Sequence, residues 1–234
     1  MARPPRILII ATSAATMDGG STGLWLEELT TPYYAFRDAG ADVTLASIAG
    51  GAIPIDPRSV KPVGENDASV ERYLADEAFT HAVAATPCFE TLGTGDFDAL
   101  FLPGGHGTMF DYPKSEALAR LVAAMSEAGK VVAAVCHGPA GLVAARKPDG
   151  TPFVAGRKVA AFSDSEECAV GLEHAVPFLL ETRLRELGAT YAVGPDFAPF
   201  AVRDGNLVTG QNPASAERTA ALVMEALHEA ELAA

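Results

Sequence analysis

The chain has 234 residues, 49% of them hydrophobic, and a formal net charge of −13 at pH 7. This length and composition predict one globular domain, residues 1–234, with a large core and no membrane-spanning segment. The negative charge disfavours nucleic acid and anionic membranes as partners. Three well-separated cysteines and an N-terminus without a secretory signal pattern indicate a reducing compartment, so we expect a cytoplasmic protein.

The first part of the chain predicts a βαβ unit followed by an insertion. Residues 6–11 are apolar and typical of a buried strand, residues 24–39 have helical periodicity, and residues 42–46 form a second strand pattern. The usual handedness of βαβ units makes these two strands parallel. The pattern weakens over residues 50–94, where only the stretch 70–85 is helical, and we expect this insertion to pack over one edge of the sheet.

Further on, strands and helices alternate in the order typical of a doubly wound, mostly parallel α/β sheet. A strand at 98–102, a helix at 115–128 and an apolar strand at 131–135 continue the parallel pattern. Residues 200–202 and 207–209 flank an Asp-Gly-Asn turn and predict a C-terminal hairpin. The remaining predicted elements are short strands at 153–154, 158–162 and 190–193, a polar loop at 163–168, and helices at 177–187 and 214–230.

The strand at 131–135 runs directly into Cys136 and the helix-start pair Gly138 and Pro139, which predicts a nucleophile elbow. Such a turn would hold the sulfur of Cys136 above the sheet. The positive end of the following helix favours the thiolate, and we expect Cys136 to react with alkylating reagents before the other two cysteines. The structural alternative is a free cysteine that packs as a small buried hydrophobe.

Polar candidates collect in the loops at the carboxyl ends of the strands, where ligands of parallel sheets bind. The glycine-rich loop 103–108 contains Gly105, His106 and Gly107, which predict an oxyanion hole or substrate-binding loop beside the cysteine. The loop lacks phosphate-binding and dinucleotide signatures. His137 follows the cysteine directly and predicts a proton acceptor for the sulfur, with an exposed or helix-capping histidine as the alternative.

Two groups of acids follow strands at the same end of the sheet, Glu27 with Glu28 and then Asp164, Glu166 and Glu167. Simple solvation is the structural alternative for each of them, because exposed acids are the default. The histidines lack paired helical spacing and no Cys-x-x-Cys is present, so we expect neither a metal nor a cofactor.

Three separated segments together resemble the ThiJ/PfpI superfamily, in its heat-shock chaperone-like glyoxalase III branch. They are Val-Cys-His-Gly-Pro at 135–139, Gly-Gly-His-Gly-Thr-Met-Phe-Asp-Tyr-Pro at 104–113, and Gly-Gln-Asn-Pro-Ala-Ser at 210–215. The resemblance covers nearly the whole chain, including the insertion. It implies a flavodoxin-like sandwich of the kind shared with class I glutamine amidotransferases, and a homodimer.

The resemblance also implies the site residues. A reactive Cys136 would be hydrogen-bonded by a glutamate of the first helix, which falls on Glu28, and would form a triad with His137 and Glu167. The lesser candidates are Glu27 for the first glutamate, and Glu166 or Asp164 for the third member of the triad.

The implied reaction converts methylglyoxal or a similar 2-oxoaldehyde to the 2-hydroxy acid without a cofactor. Cys136 would form a hemithioacetal and Glu28 would shuttle the proton through an enediol. Glutaminase chemistry is disfavoured because the downstream His-x-Glu segment of the amidotransferases is missing. Two alternatives stay open: a stress-response holdase that binds unfolded client proteins, with Cys136 as a redox sensor, and a small amide or nitrile hydrolase or hydratase.

Overall fold

The computed structural model describes residues 3–18 and 20–232, and within them six strands form a central sheet. The strands are β1 (Arg6–Ala11), β2 (Asp42–Ser47), β3 (Ala99–Leu102), β4 (Val131–Val135), β5 (Ala201–Asp204) and β6 (Leu207–Gly210). Their order across the sheet is β2-β1-β3-β4-β6-β5, and every neighbouring pair is parallel except β6 with β5. The predicted flavodoxin-like, mostly parallel α/β fold with a C-terminal hairpin is therefore confirmed.

Helices cover both faces of the sheet, because successive side chains of each strand point to opposite sides. In β1, Ile7 and Ile9 join one apolar cluster, and Leu8 and Ile10 join a second cluster on the other face. Helices Leu26–Asp38, Ala68–Ala75, Glu77–Ala84 and Ala216–Leu232 pack on the first face, and helices Glu116–Glu127 and Leu180–Glu186 pack on the second. Within the described ranges no helix is both long and apolar enough to cross a membrane.

The insertion differs from its prediction at one point. The helix expected at 70–85 is two helices, because Asp76 ends the first and caps the second, its side chain accepting from the Phe79 N–H at 3.0 Å. Near the N-terminus, two-residue strands at 16–17 and 20–21 pair within the predicted loop, and Gly19 between them lies outside the described residues.

Two stretches that the sequence predicts as strands differ in the structure. The strand predicted at 158–162 shrinks to Lys158–Val159, which pairs with Thr190–Tyr191 in a separate two-stranded parallel sheet. After it, the backbone leaves the strand because the Phe162 N–H donates to the Cys136 carbonyl at 2.9 Å. Residues 153–154, also predicted as a strand, form a turn.

The polar loop predicted at 163–168 is the helix Asp164–Ala169. It begins with a capping box, in which Ser163 accepts from the Glu166 N–H and the Glu166 carboxylate accepts from the Ser163 N–H. The sequence carries this signal as Ser-x-x-Glu. The helix matters for the site because Glu167 lies in its first turn.

Candidate active site

Cys136 occupies a sharp turn between β4 and a short 3-10 helix, Gly138–Leu142. Its φ of +59° lies in the left-handed region, which is strained for a residue with a side chain. Neighbouring backbone holds the turn: the Cys136 N–H donates to the Gly210 carbonyl at 3.0 Å, and the Cys136 carbonyl accepts from Phe162. The sequence predicted an elbow here, and the chain has that geometry with a 3-10 segment in place of a regular helix start.

A hydrogen-bonded chain leads away from the sulfur. Nδ1 of His137 lies 3.3 Å from Sγ of Cys136, and Nε2 of His137 lies 2.7 Å from Oε2 of Glu167. All three side chains are buried. Burial opposes ionisation of Glu167, but hydrogen bonds from His106 and His137 lower its pKa to about 2. Glu167 is therefore a carboxylate that accepts from both imidazoles.

The other two acids of the same helix make different contacts. Glu166 is buried, and its Oε1 accepts from the Phe197 N–H at 2.7 Å and from the Asn212 amide at 2.9 Å. Asp164 accepts from the Thr182 hydroxyl on the next helix. Neither carboxylate has a hydrogen bond to the imidazole beside the cysteine among the described residues. The geometry thus brings Glu167, and not its two neighbours, to the imidazole.

Glu28 comes from the first turn of the helix Leu26–Asp38 and is fully buried. Its Oε2 accepts from the Gly104 N–H at 2.8 Å, and the carboxyl lies close enough to the Cys136 thiol for each group to shift the pKa of the other. Its Oε1 is buried and has no hydrogen-bond partner among the described residues. A Cβ on Gly104 would lie 2.6 Å from Oε2, so only glycine leaves room for this carboxyl. Glu27 is half-buried and is not among the residues that line the cavity at Cys136, and burial raises its pKa to about 7.

Burial favours the protonated forms of both the Glu28 carboxyl and the Cys136 thiol. Desolvation raises the pKa of Glu28 well above its usual value, and desolvation together with the Glu28 carboxyl raises that of Cys136. The prediction that the following helix favours a resting thiolate is therefore wrong. The five-residue 3-10 helix Gly138–Leu142 stabilises a Cys136 thiolate by less than burial destabilises it. Nδ1 of His137, 3.3 Å from the sulfur, is positioned to accept the Cys136 proton.

The residues of the glycine-rich loop 103–108 contribute to the candidate site in different ways. The backbone N–H of Gly105 lowers the pKa of the Cys136 thiol, against the larger effect of burial, and the φ of Gly105 is +95°, a conformation that favours glycine. Gly107, predicted as a substrate-binding residue, donates its N–H to the Gly23 carbonyl at 3.1 Å and has no N–H left for a ligand. His106 contributes its side chain: Nε2 lies 2.8 Å from Oε1 of Glu167.

Two residues of the insertion reach the site although no sequence motif points to them. Arg58 binds the fully buried Asp56 in a two-pronged ion pair, Nε to Oδ1 at 2.9 Å and Nη2 to Oδ2 at 2.6 Å. Nη2 of Arg58 also lies 3.2 Å from Nδ1 of His106. The contact of Arg58 with His106 joins positions 48 residues apart, so the sequence has no local pattern that could have revealed it.

A cavity of about 450 Å³ opens beside the elbow. Apolar side chains form most of its wall, namely Trp25, Phe162, Val170, Phe197 and Pro213, together with Gly105, Cys136 and the two histidines. Arg58 is the only permanently charged side chain among its described lining residues. A larger, open depression of about 560 Å³ near Lys130 and His228 has no cysteine in its described lining, so the smaller cavity is the candidate site.

His106, His137 and Glu167 also have the spacing of a cation site, with ligand atoms within 4.8 Å of one another. Each short nitrogen-to-oxygen distance between them is, however, already explained by one shared proton. A cation would displace the Nε2 proton of His106 while Arg58 still donates to its Nδ1, and an imidazole cannot accept at both nitrogens without becoming an anion. The donor set therefore fits a proton network.

Comparisons with known proteins agree with this fold. The sequence profile of the DJ-1/PfpI family matches residues 22–226. The glutathione-independent glyoxalase HSP31 of Saccharomyces cerevisiae is 33% identical, over 96% of this chain and 98% of its own length. Glyoxalase 3 of Candida albicans is 34% identical over 89% of this chain and 91% of its own.

Two solved structures extend the comparison. The crystal structure of glyoxalase III from Candida albicans has a TM-score of 0.85 and 32% identity, and the match covers 95% of this chain and 97% of that one. The rapid encystment protein of 24 kDa from Francisella tularensis has a TM-score of 0.91 and 34% identity, over 95% of this chain and 99% of that one.

Proposed function

The chain belongs to the DJ-1/PfpI family, and we propose that it converts a 2-oxoaldehyde, methylglyoxal by preference, to the 2-hydroxy acid without glutathione or a cofactor. One observation carries this proposal: the buried Cys136 thiol lies 3.3 Å from the His137 imidazole and beside the buried Glu28 carboxyl, which raises the pKa of the thiol. A hydrolase of amides or nitriles needs the first contact only. An internal proton transfer between two carbons needs the second as well.

In the first step, Nδ1 of His137 accepts the Cys136 proton and the sulfur bonds to the aldehyde carbon, giving a hemithioacetal. The protonated Glu28 donates to the new alkoxide oxygen, and the Gly105 N–H stabilises its developing charge. Glu28 becomes a carboxylate at this point.

In the second step, the Glu28 carboxylate removes the proton from the hemithioacetal carbon, and the imidazolium of His137 gives the former Cys136 proton to the neighbouring carbonyl oxygen, which forms an enediol. Glu28 then returns the carbon-bound proton to the adjacent carbon. The hydroxyl proton of the first carbon then passes to Glu28, which leaves a thioester of the 2-hydroxy acid. Water, with His137 managing its protons, cleaves the thioester and restores the Cys136 thiol. The sum is one 2-oxoaldehyde and one water to one 2-hydroxy acid.

The decisive experiment measures lactate formed from methylglyoxal in the absence of glutathione, for wild type and Cys136→Ala. We expect the substitution to lower the rate by about a thousandfold or more, because no other group can form the covalent intermediate. A wild type that makes no lactate above background would reject the proposal. Suppression of client aggregation by both wild type and Cys136→Ala, without lactate, would favour the holdase.

We propose further properties of the whole protein. The protein is a cytoplasmic homodimer whose ligand is a small carbonyl compound, and it binds neither nucleic acid nor membranes, as the net charge of −13 suggests. Residues 1–234 form one cooperative domain, which a single thermal transition would support. Light scattering at several concentrations tests the dimer, and a monomer mass throughout would reject it.

A further inference from the structure

Arg58, a residue of the insertion, ends beside His106, which contacts the triad residue Glu167. Asp56 is fully buried and holds Arg58 by two hydrogen bonds, and Thr22 donates to the same Asp56 carboxylate at 3.0 Å. Arg58 then contacts His106, which contacts Glu167. We propose that Asp56, Arg58 and His106 form a positioning arm that fixes the protonation state of His106 and thereby the orientation of Glu167.

The protonation state follows from the donors. A guanidinium only donates, so Nδ1 of His106 must accept from Arg58, and the single proton of a neutral imidazole must then lie on Nε2. That proton faces Oε1 of Glu167 at 2.8 Å, and an ionised carboxylate only accepts. Every hydrogen bond of the arm is satisfied in this one arrangement, with His106 neutral.

The orientation of Glu167 follows in turn. One oxygen accepts from His106 at 2.8 Å and the other from His137 at 2.7 Å, so the carboxylate cannot rotate without breaking one of two buried hydrogen bonds. Nε2 of His137 is thereby occupied, and its Nδ1 is left for the sulfur. The arm acts through Glu167 and makes no contact with the reacting atoms, which defines it as a positioning device.

A neutral His106 also matters electrostatically. The charged and titratable groups that face His106 are Arg58, Glu167 and His137, and the ring centroids of the two histidines are 4.1 Å apart. Burial, the neighbouring His137 and Arg58 together lower the pKa of His106 to about 4, against the opposing effect of Glu167. A second imidazolium at this distance would hinder His137 from taking the Cys136 proton.

The test removes the charge of the arm in two ways. Arg58→Gln leaves the buried Asp56 unpaired, so the double variant Asp56→Asn with Arg58→Gln is made alongside it to separate loss of folding from loss of positioning. Arg58→Lys keeps the charge. The matched control is Arg72→Gln, because Arg72 makes a similar two-pronged ion pair with the exposed Asp38 away from the site.

The main readout is the pH dependence of the rate at which iodoacetamide alkylates Cys136, followed by peptide mass spectrometry in a Cys88→Ser, Cys168→Ser background. It needs no substrate, so it tests the arm even if the proposed glyoxalase function, on which the catalytic meaning of the arm rests, fails. Without the positive charge of Arg58, His106 becomes protonated at a higher pH. We expect the acid limb of the alkylation profile to move up by about one pH unit in both Gln variants.

Turnover of methylglyoxal supplies the second readout. We expect kcat to fall about tenfold in the Gln variants, a part of what general base catalysis contributes, with KM unchanged and with Arg58→Lys recovering most of the loss. Arg72→Gln should match wild type in both assays. Acid limbs at the wild-type position in the Gln variants would overturn the inference. A raised KM with unchanged kcat would also overturn it, because Arg58 would then be a substrate contact.

Discussion

At the scale of single residues, the site depends on two weak acids that share one buried position. Burial raises the free energy of both anions, and the Glu28 carboxyl raises that of the Cys136 thiolate further, whereas the Cys136 thiol partly offsets the effect of burial on Glu28. Glu167, only two contacts away, is ionised because two imidazoles donate to it. The environments therefore assign opposite roles to two buried glutamates: a neutral proton carrier at the sulfur and a permanent anion behind the imidazole.

The proton-carrier role predicts a separation of steps in Glu28→Gln. The amide preserves the volume and can still donate to the sulfur, so iodoacetamide should label Cys136 at a rate within about threefold of wild type. Lactate formation should fall by about a hundredfold or more, because an amide cannot accept the carbon-bound proton. Glu27→Gln, one residue earlier on the same helix, is the control and should keep wild-type turnover. Equal losses in both variants would contradict the assignment.

Glu28→Gln should also be more stable than wild type, by an amount that grows as the pH rises. The pKa of Glu28 is higher in the folded than in the unfolded chain, where it is near 4.5, so its full stabilising effect exists only below that value. Above pH 4.5 the unfolded state releases the proton first, and stability falls by about 1.4 kcal/mol for each pH unit until the folded pKa is reached.

Urea unfolding of wild type and Glu28→Gln from pH 4 to pH 8 measures this difference. The two proteins should be closest near pH 4, and the variant should gain steadily above it. For Glu27→Gln the gain should level off near pH 7, where the pKa of Glu27 lies. A pH-independent difference for Glu28→Gln would mean that the carboxyl is ionised in the folded protein.

At the scale of elements, the helix Asp164–Ala169 has to be well formed because it carries Glu167. Its capping box rests on Ser163, whose hydroxyl accepts from the Glu166 N–H at 3.1 Å. The Glu166 carboxylate also holds the Phe197 N–H, and Phe197 has a left-handed φ of +59° at the wall of the cavity. One short helix thus positions both the triad acid and a piece of the substrate pocket.

A pair of cap substitutions tests this coupling. Ser163→Ala and Ser115→Ala each remove an N-cap, and each should lower the free energy of unfolding by about 1 kcal/mol. Ser115 starts the helix Glu116–Glu127, which carries none of the triad residues, so only Ser163→Ala should also lower kcat for methylglyoxal. Equal kcat values in the two variants would show that Glu167 is held without its cap.

At the scale of the whole molecule, the three cysteines differ in accessibility in a way that reverses their expected reactivity. Cys136 is 3% exposed and its pKa is raised by burial, whereas Cys168 is exposed and Cys88 is half-buried with its sulfur directed to the Ile48 carbonyl. The expectation that Cys136 is alkylated first is therefore not supported by the fold. A reagent from bulk solvent meets Cys168 first.

Timed labelling with mass spectrometry checks this order. Cys168 should be modified fastest in the absence of substrate, and Cys88→Ser and Cys168→Ser should each retain most glyoxalase activity. Methylglyoxal should protect Cys136 and leave the labelling of Cys168 unchanged. Protection of Cys168 alone would move the nucleophile to the surface and reject the buried site.

The sequence by itself determined the sheet and the cysteine at its edge. Residues 6–11 and 131–135 are continuous apolar runs, and only strands buried on both faces need such runs. The abrupt change to Gly138 and Pro139 predicted a turn, and a turn after a parallel strand lies at the carboxyl edge whatever the rest of the fold does. The Ser-x-x-Glu cap of the helix Asp164–Ala169 was readable too, because a capping box involves only local contacts.

Only the tertiary structure decided how the side chains share protons. Glu166 and Glu167 are adjacent and chemically identical, and what separates them is the helix register that turns one to Asn212 and the other to His137. The contact of Arg58 with His106 joins an insertion to a strand loop, which no local pattern encodes. The protonation of Cys136 depends on burial by groups from several elements, and burial is a property of the assembled fold.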